Sequence, residues 1–293
     1  MESSKRLIAT PTRTAEIMNQ YDIKMKKSLG QNFLVEPSIL DKMIQTSDIT
    51  KNTTVIEIGP GIGALTEFLA LSAKEVIAFE IDPRFVKILS NTLSEYENVK
   101  VVHEDILKVN FNDSEFDYLK DAEDLIVVAN LPYYITTPII MHLLDTDLPF
   151  NRLAMMMQKE VAERMTAEVG TKAYNSLTIA IQNKMEATIS FIVPKSVFIP
   201  KPNVDSAVLM LRRREKALVE VENPREFEKF IQMAFTQRRK TIWNNVRNYY
   251  QNGEADQTKL AEGFEQAEID PKRRAETLTV YEFEELFNKL SEI

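Results

Sequence analysis

The chain has 293 residues, 44% hydrophobic and 27% charged, which is enough apolar material for a sizeable folded core and excludes disorder throughout. It has no cysteine and only two histidines, His103 and His142, which exclude disulfides, thiolate metal sites and histidine-rich metal centres and fit a reducing cytoplasm. A net charge of −8 excludes a protein that coats nucleic acid by bulk electrostatics, yet the acidity is local: residues 51–150 hold 17 acidic against 7 basic side chains.

The N-terminal stretch lacks a signal-peptide core and no run nears the roughly 18 apolar residues of a membrane span, so an unexported chain outside the membrane is expected. Residues 54–59, Thr-Val-Ile-Glu-Ile-Gly, read as a strand, and Ala64 to Leu71 has helical apolar spacing. Between them lies Gly59-Pro60-Gly61-Ile62-Gly63, a turn whose glycines let a nucleoside approach the backbone. By itself it fits NAD and S-adenosylmethionine equally. The G-x-G-x-G spacing, with Glu57 two residues ahead, differs from the dinucleotide fingerprint G-x-G-x-x-G, and no P-loop is present.

Strand, helix and strand recur as Val76 to Phe79, Pro83 to Leu93, Val99 to His103 and Leu125 to Ala129, followed by a helix from Pro138 to Leu144. Glu80 ends the second strand, where a carboxylate can accept from both ribose hydroxyls; in isolation it would be a solvated strand-end acid. Asp105 follows the third strand and can accept from the adenine amine of a cofactor, with Glu104 the alternative. Leu153 to Met157 reads as a fifth strand entering a polar helix, Gln158 to Ala167, and Thr188 to Val193 with Ser206 to Leu211 as closing strands of a hairpin-like edge. Beyond a boundary near 215–223, Pro224 to Phe235, Thr241 to Tyr250 and Thr279 to Leu290 are helical. The expected domains are therefore 1–215 and 216–293.

Asn130-Leu131-Pro132-Tyr133 follows the fourth strand, on the edge where ligands of such sheets bind. An Asn-x-Pro tetrapeptide alone is usually just a turn. In this place it suits methylation of an aromatic amine, whose delocalised lone pair must localise before it attacks a methyl sulfonium. The Asn130 side-chain oxygen and Leu131 carbonyl would accept the two amine hydrogens, Pro132 would stiffen the turn, and Tyr133 would stack on an extruded base.

At these residues the chain resembles the ribosomal RNA adenine N6,N6-dimethyltransferases, in particular the bacterial small-subunit (16S) enzymes of the kasugamycin-resistance type. The likeness spans nearly the whole chain. It rests on Lys27 to Leu34, Glu57 to Gly61, Asn130 to Tyr133, Gln158 to Arg164, Phe198 to Ser206 and, in the C-terminal part, Phe235 to Thr241 with Asn244 and Asn245. It implies an α/β, Rossmann-like class I methyltransferase with a mostly parallel seven-stranded sheet, plus a small all-α C-terminal domain that contacts rRNA. It adds Asn32 and Leu34 to Gly59, Gly61, Glu80, Asp105 and Asn130 as holders of S-adenosyl-L-methionine. It sets Phe198, which pattern alone reads as a core aromatic, against the target base opposite Tyr133, and it includes no metal.

The implied target is two adjacent adenosines in the 3′-terminal hairpin loop of 16S rRNA, in an immature 30S particle, methylated by a monomer. Two features depart from the pattern: Tyr134 stands where many relatives have Asn, and the chain is acidic although its target is a ribosomal particle. Local basic patches, Lys24 to Lys27, Lys159 with Arg164, Arg212 to Arg214 and Arg238 to Lys240, are then the expected rRNA contacts. The rivals are a macrolide-resistance methyltransferase of 23S rRNA, a non-catalytic assembly factor and a dehydrogenase.

Overall fold

A computed structural model of the chain describes residues 7–23, 32–131, 135–250 and 257–292, without the side chains of 249 and 250. In chain order the elements of the first half are α1 (Pro11–Gln20), β1 (Phe33–Leu34), α2 (Pro37–Thr46), β2 (Thr53–Ile58), α3 (Ala64–Ser72), β3 (Glu75–Glu80), α4 (Pro83–Thr92), β4 (Val99–His103), α5 (Asp117–Lys120), β5 (Asp124–Asn130) and α6 (Thr136–Leu144). Then follow β6 (Arg152–Gln158), α7 (Lys159–Met165), α8 (Ser176–Lys184), β7 (Met185–Val193), β8 (Phe198–Ile199), β9 (Ser206–Arg213), α9 (Pro224–Ala234), α10 (Ile242–Tyr250), α11 (Gln257–Gln266) and α12 (Val280–Ser291).

Seven strands form one sheet in the order β4-β3-β2-β5-β6-β9-β7. The pairings from β4 through to β6 are parallel, and β9 runs antiparallel to β6. The expected mostly parallel α/β sheet is thus present, closed by the edge pair β9 and β7. Every residue of β2 is buried, as are Leu125 to Ala129 of β5, which explains why these strands read as unbroken apolar runs rather than alternating ones. Because β2 has β3 on one side and β5 on the other, the chain order reverses at β2, and a crevice opens beyond the carboxyl ends of β2 and β5.

At the opposite end of these strands a buried ion pair ties three of them together. Arg152, at the start of β6, places Nη1 2.5 Å from Asp124 Oδ1 at the start of β5, and its Nε donates to the Ser47 carbonyl at 2.8 Å. Asp124 Oδ2 also accepts from the Thr53 hydroxyl of β2 at 2.6 Å. These hydrogen bonds, led by those from Arg152, hold the Asp124 carboxyl well below the usual carboxylate range. The N-terminal segment is anchored by a second buried acid: Glu67 of α3 accepts from the Ile8 amide at 2.8 Å and from the Tyr96 hydroxyl at 3.0 Å.

Two compact units result, 1–162 with 188–213, and 163–187 with 214–293. The expected division into 1–215 and 216–293 therefore needs correction: residues 163–187 belong with the helical unit. Ala167, Tyr174 and Ile179 lie in its apolar core with Phe227, Phe230 and Phe283, and Asn175 starts α8 with a capping box, so this segment is a helix of that core. No helix among the described residues is long and apolar enough to cross a membrane.

Candidate cofactor and base site

The glycine turn between β2 and α3 sets the floor of the crevice. Gly59 and Gly63 have φ of +69° and +94°, in the region that favours glycine. A Cβ on Gly63 would stand 3.2 Å from both Leu89 and Leu93, so that glycine also lets α3 pack beside α4. A Cβ on Gly59 would meet nothing within 4 Å; the space beside it is the cavity itself.

That cavity, about 190 Å³, lies within the first unit and gathers residues from the ends of β2, β3, β4 and β5 and from the distant β1 and β8. Asn32, Leu34, Gly59, Gly61, Glu80, Asp105, Asn130, Leu131 and Phe198 all line it. Pro132 and Tyr133 of the tetrapeptide, and Tyr134 after it, lie outside the described residues.

Each acid is held differently. Glu80, buried at the end of β3, accepts from the Asp82 amide at 2.8 Å and from the Gly61 amide at 3.2 Å, which locks it to the glycine turn. Burial raises its pKa, and those two amides oppose the rise. Asp105 Oδ1 caps a short helical turn by accepting from the Leu107 amide at 3.1 Å. Glu104, the alternative to Asp105, lines the cavity too and accepts from the Asp105 amide at 3.0 Å.

Asn130 is the last residue of β5, paired with Met156 of β6, and the Leu131 amide donates to the Met156 carbonyl at 3.3 Å. The start of the tetrapeptide is therefore fixed by the sheet. Across the cavity, Phe33 and Leu34 pair with Ile199 and Phe198 in a two-stranded antiparallel ribbon. This ribbon brings Asn32 and Leu34, some 165 residues earlier in the chain, beside Phe198. Phe198 is 4% exposed, belongs to the apolar core and also lines the cavity.

Sequence reasoning missed Glu57 as a site residue. It is 1% exposed, its Oε2 has no hydrogen-bond partner, and it lines the cavity. Burial pushes its pKa to about 8; the nearby Thr66 hydroxyl opposes this and the Glu80 charge adds to it. An acid in the middle of an apolar strand was the available signal. The apolar wall, including Leu40, Phe85, Ile135 and Ile139, was missed as well, being indistinguishable in sequence from ordinary core.

The basic patches divide. Lys24 to Lys27 lie outside the described residues. Arg212 pairs with Asp48 at 2.7 Å, Arg213 stands 4.3 Å from the Phe150 ring centroid, and Arg214 pairs with Glu186 at 3.1 Å. All three thus have internal partners. Lys159 and Arg164 sit on α7 and also have partners within the protein.

A doubly wound sheet with a glycine turn, acids at successive strand ends and Asn130-Leu131 over the crevice defines a Rossmann-like nucleotide-dependent methyltransferase. The particular kind follows from comparison with known proteins. The family described as ribosomal RNA adenine dimethylase matches residues 22–289, and the chain belongs to it. It is an S-adenosylmethionine-dependent rRNA adenine dimethyltransferase. A ribosomal RNA small subunit methyltransferase A of Enterococcus faecalis is 52% identical over 97% of this chain and 96% of its own length. Its namesake in Staphylococcus aureus is 51% identical over 96% and 95%. Among solved structures, a dimethyladenosine transferase from Plasmodium falciparum aligns with TM-score 0.72 and 30% identity, covering 88% of this chain and 98% of that one. The 23S rRNA methyltransferase ErmE aligns with TM-score 0.66 and 26% identity over 88% and 99%.

Proposed function

We propose that the chain dimethylates the N6 amines of two adjacent adenosines in the 3′-terminal hairpin loop of 16S rRNA, in immature 30S particles, as a cytoplasmic monomer with a role in ribosome biogenesis. The observation that carries this is the convergence of Asn32, Leu34, Glu80, Asp105, Asn130 and Phe198 on one cavity, in a chain about half identical to proteins named for the small subunit.

The residues present fit S-adenosylmethionine. The open space beside Gly59 admits a nucleoside, and the unpartnered buried oxygen of Glu57 suits a ligand that supplies it a hydrogen-bond partner. Glu80 would accept from the ribose hydroxyls, Asp105 from the adenine amine, and Asn32 with Leu34 would close over the nucleoside from the ribbon. When bound, the cofactor supplies an electrophilic methyl group on a positively charged sulfur, a good leaving group.

The protein's own part is to prepare the acceptor. Asn130 Oδ1 and the Leu131 carbonyl accept the two N6 hydrogens, localising the nitrogen lone pair and aiming it. Phe198 supports the extruded adenine on one face, and Tyr133 is assigned the other. The helical unit would hold the particle.

The test is incubation of undermethylated 30S particles with methyl-labelled cofactor, followed by mapping of the label. Label confined to N6 of two neighbouring adenosines near the 3′ end of 16S rRNA is the expected outcome, and Asn130→Ala should lower the rate at least about 100-fold. Label on 23S rRNA instead, or full activity in Asn130→Ala, would overturn the reading.

A further inference from the structure

The helical unit holds a second cavity, of about 460 Å³, used by none of the chemistry above. Its floor is apolar and aromatic: Trp243, Phe264, Ala261 and Ile269, with Glu265 and Lys272 among its polar lining. Trp243, the chain's only tryptophan, is half-buried and packs on Phe264 with ring centroids 5.5 Å apart.

The backbone explains why charge gathers here. The Ile242 amide donates to the Arg273 carbonyl at 2.7 Å and the Trp243 amide to the Pro271 carbonyl at 3.3 Å. These bonds draw the run Lys272-Arg273-Arg274 against the start of α10, next to Arg238-Arg239-Lys240. Two of the six cations are engaged, Arg238 with Glu276 and Arg273 with Glu282. Arg239, Lys240, Lys272 and Arg274 are exposed. Among the described residues these four have no ion-pair partner. In a chain of net charge −8, Lys272 in the lining, with Arg239 and Lys240 just ahead of the lining residue Thr241 and Arg274 just after Lys272, complements a ligand that joins flat rings to phosphates.

We propose that this cavity binds an unstacked nucleobase of single-stranded RNA, its ring on Trp243 and its flanking phosphates among Arg239, Lys240, Lys272 and Arg274. The inference rests on an rRNA substrate and adds a second point of hold, away from the target adenine. Stacking on tryptophan tolerates any base, because each has a π face, while the cations supply salt-dependent affinity.

The single tryptophan is its own reporter. Titration of the full chain with a hexamer of riboadenosine should quench tryptophan emission saturably. An abasic ribose-phosphate hexamer of equal charge should bind at least about fivefold more weakly and leave emission unchanged. In anisotropy with a labelled hexamer, Trp243→Ala should weaken binding about 5- to 150-fold and Trp243→Phe much less. Circular dichroism would verify the fold of both. Lys272→Glu, an exposed change, should weaken binding and lower its salt dependence.

Equal affinity for the two hexamers, or emission indifferent to bases, overturns the proposal. Labelled methyl transfer to 30S particles, run in parallel, separates the two readings. Transfer without base-dependent quenching sinks this inference alone, and quenching without transfer sinks the proposed function alone.

Discussion

Glu57 stands in the middle of an apolar strand; in the unfolded chain it ionises near its ordinary value of about 4.3, and in the fold it stays protonated until about pH 8. Between those values the folded state binds one proton more than the unfolded state, so this residue makes stability fall as pH rises from about 5 to 8. Glu57→Gln should therefore match the parent in melting temperature at pH 5 and exceed it at pH 8, as read by thermal unfolding at both. A parallel decline of the two proteins with pH would contradict the assignment. Asp124 has the opposite sign. Its folded pKa is depressed, so its stabilisation is present above the unfolded value of about 3.9 and lost as pH falls below it. Removing its partner with Arg152→Met leaves the Asp124 carboxylate with only Thr53 and Asn151 as hydrogen-bond donors and the Ser47 carbonyl without the Arg152 donor, and should cost roughly 3–5 kcal/mol in urea unfolding at pH 7. That cost should shrink near pH 3. Neither residue's environment was readable beforehand, because burial and pairing depend on strands far away in sequence.

At the scale of elements, most of the stretch from Thr53 to Leu144 was legible because its strands are short apolar runs and its longer helices carry helical apolar spacing, one of them with a clear start signal. Asp82 caps α4 ahead of Pro83, for example, and the predicted helix 83–93 is found as Pro83–Thr92. The helix expected from Gln158 begins one residue later, since Gln158 completes β6 opposite Ser206. α1, α2, α5, α8 and α11 were not predicted. The clearest loss was the ribbon of β1 and β8, two residues each, too short for any periodicity and held only by pairing with each other. Gly63 tests the turn that joins β2 to α3. Gly63→Ala must adopt positive φ and press on Leu89 and Leu93, and should lower unfolding free energy by about 1–3 kcal/mol. A change within about 0.5 kcal/mol would mean that the turn relaxes freely. In the helical unit, Thr279→Ala removes one arm of the capping box with Glu282 and should cost about 1 kcal/mol.

For the whole molecule, charge is distributed so that an acidic chain can still address RNA. Of the basic runs visible in the sequence, Arg212 to Arg214 are engaged internally, while Arg239 and Lys240 join Lys272 and Arg274, a pair no sequence pattern had placed beside them. Reversing Arg239 and Lys240 to Glu should weaken 30S particle binding and reduce the slope of log affinity against log salt by about one for each phosphate left unneutralised. Unchanged affinity across salt concentrations would exclude this face. The sequence by itself determined the α/β class, the glycine turn, the strand-end acids and the Asn130-Leu131-Pro132-Tyr133 tetrapeptide after the fourth strand. Each of these is local: periodicity, turn chemistry and a few adjacent residues suffice to write it. Only tertiary structure decided that 163–187 belongs to the helical core, that Phe198 meets Asn32 and Leu34 at one cavity, that Glu57 is a buried acid with a raised pKa, and which cations stay exposed in the helical unit. Those properties are set by burial and by the meeting of segments far apart in the chain, where no local pattern carries the information.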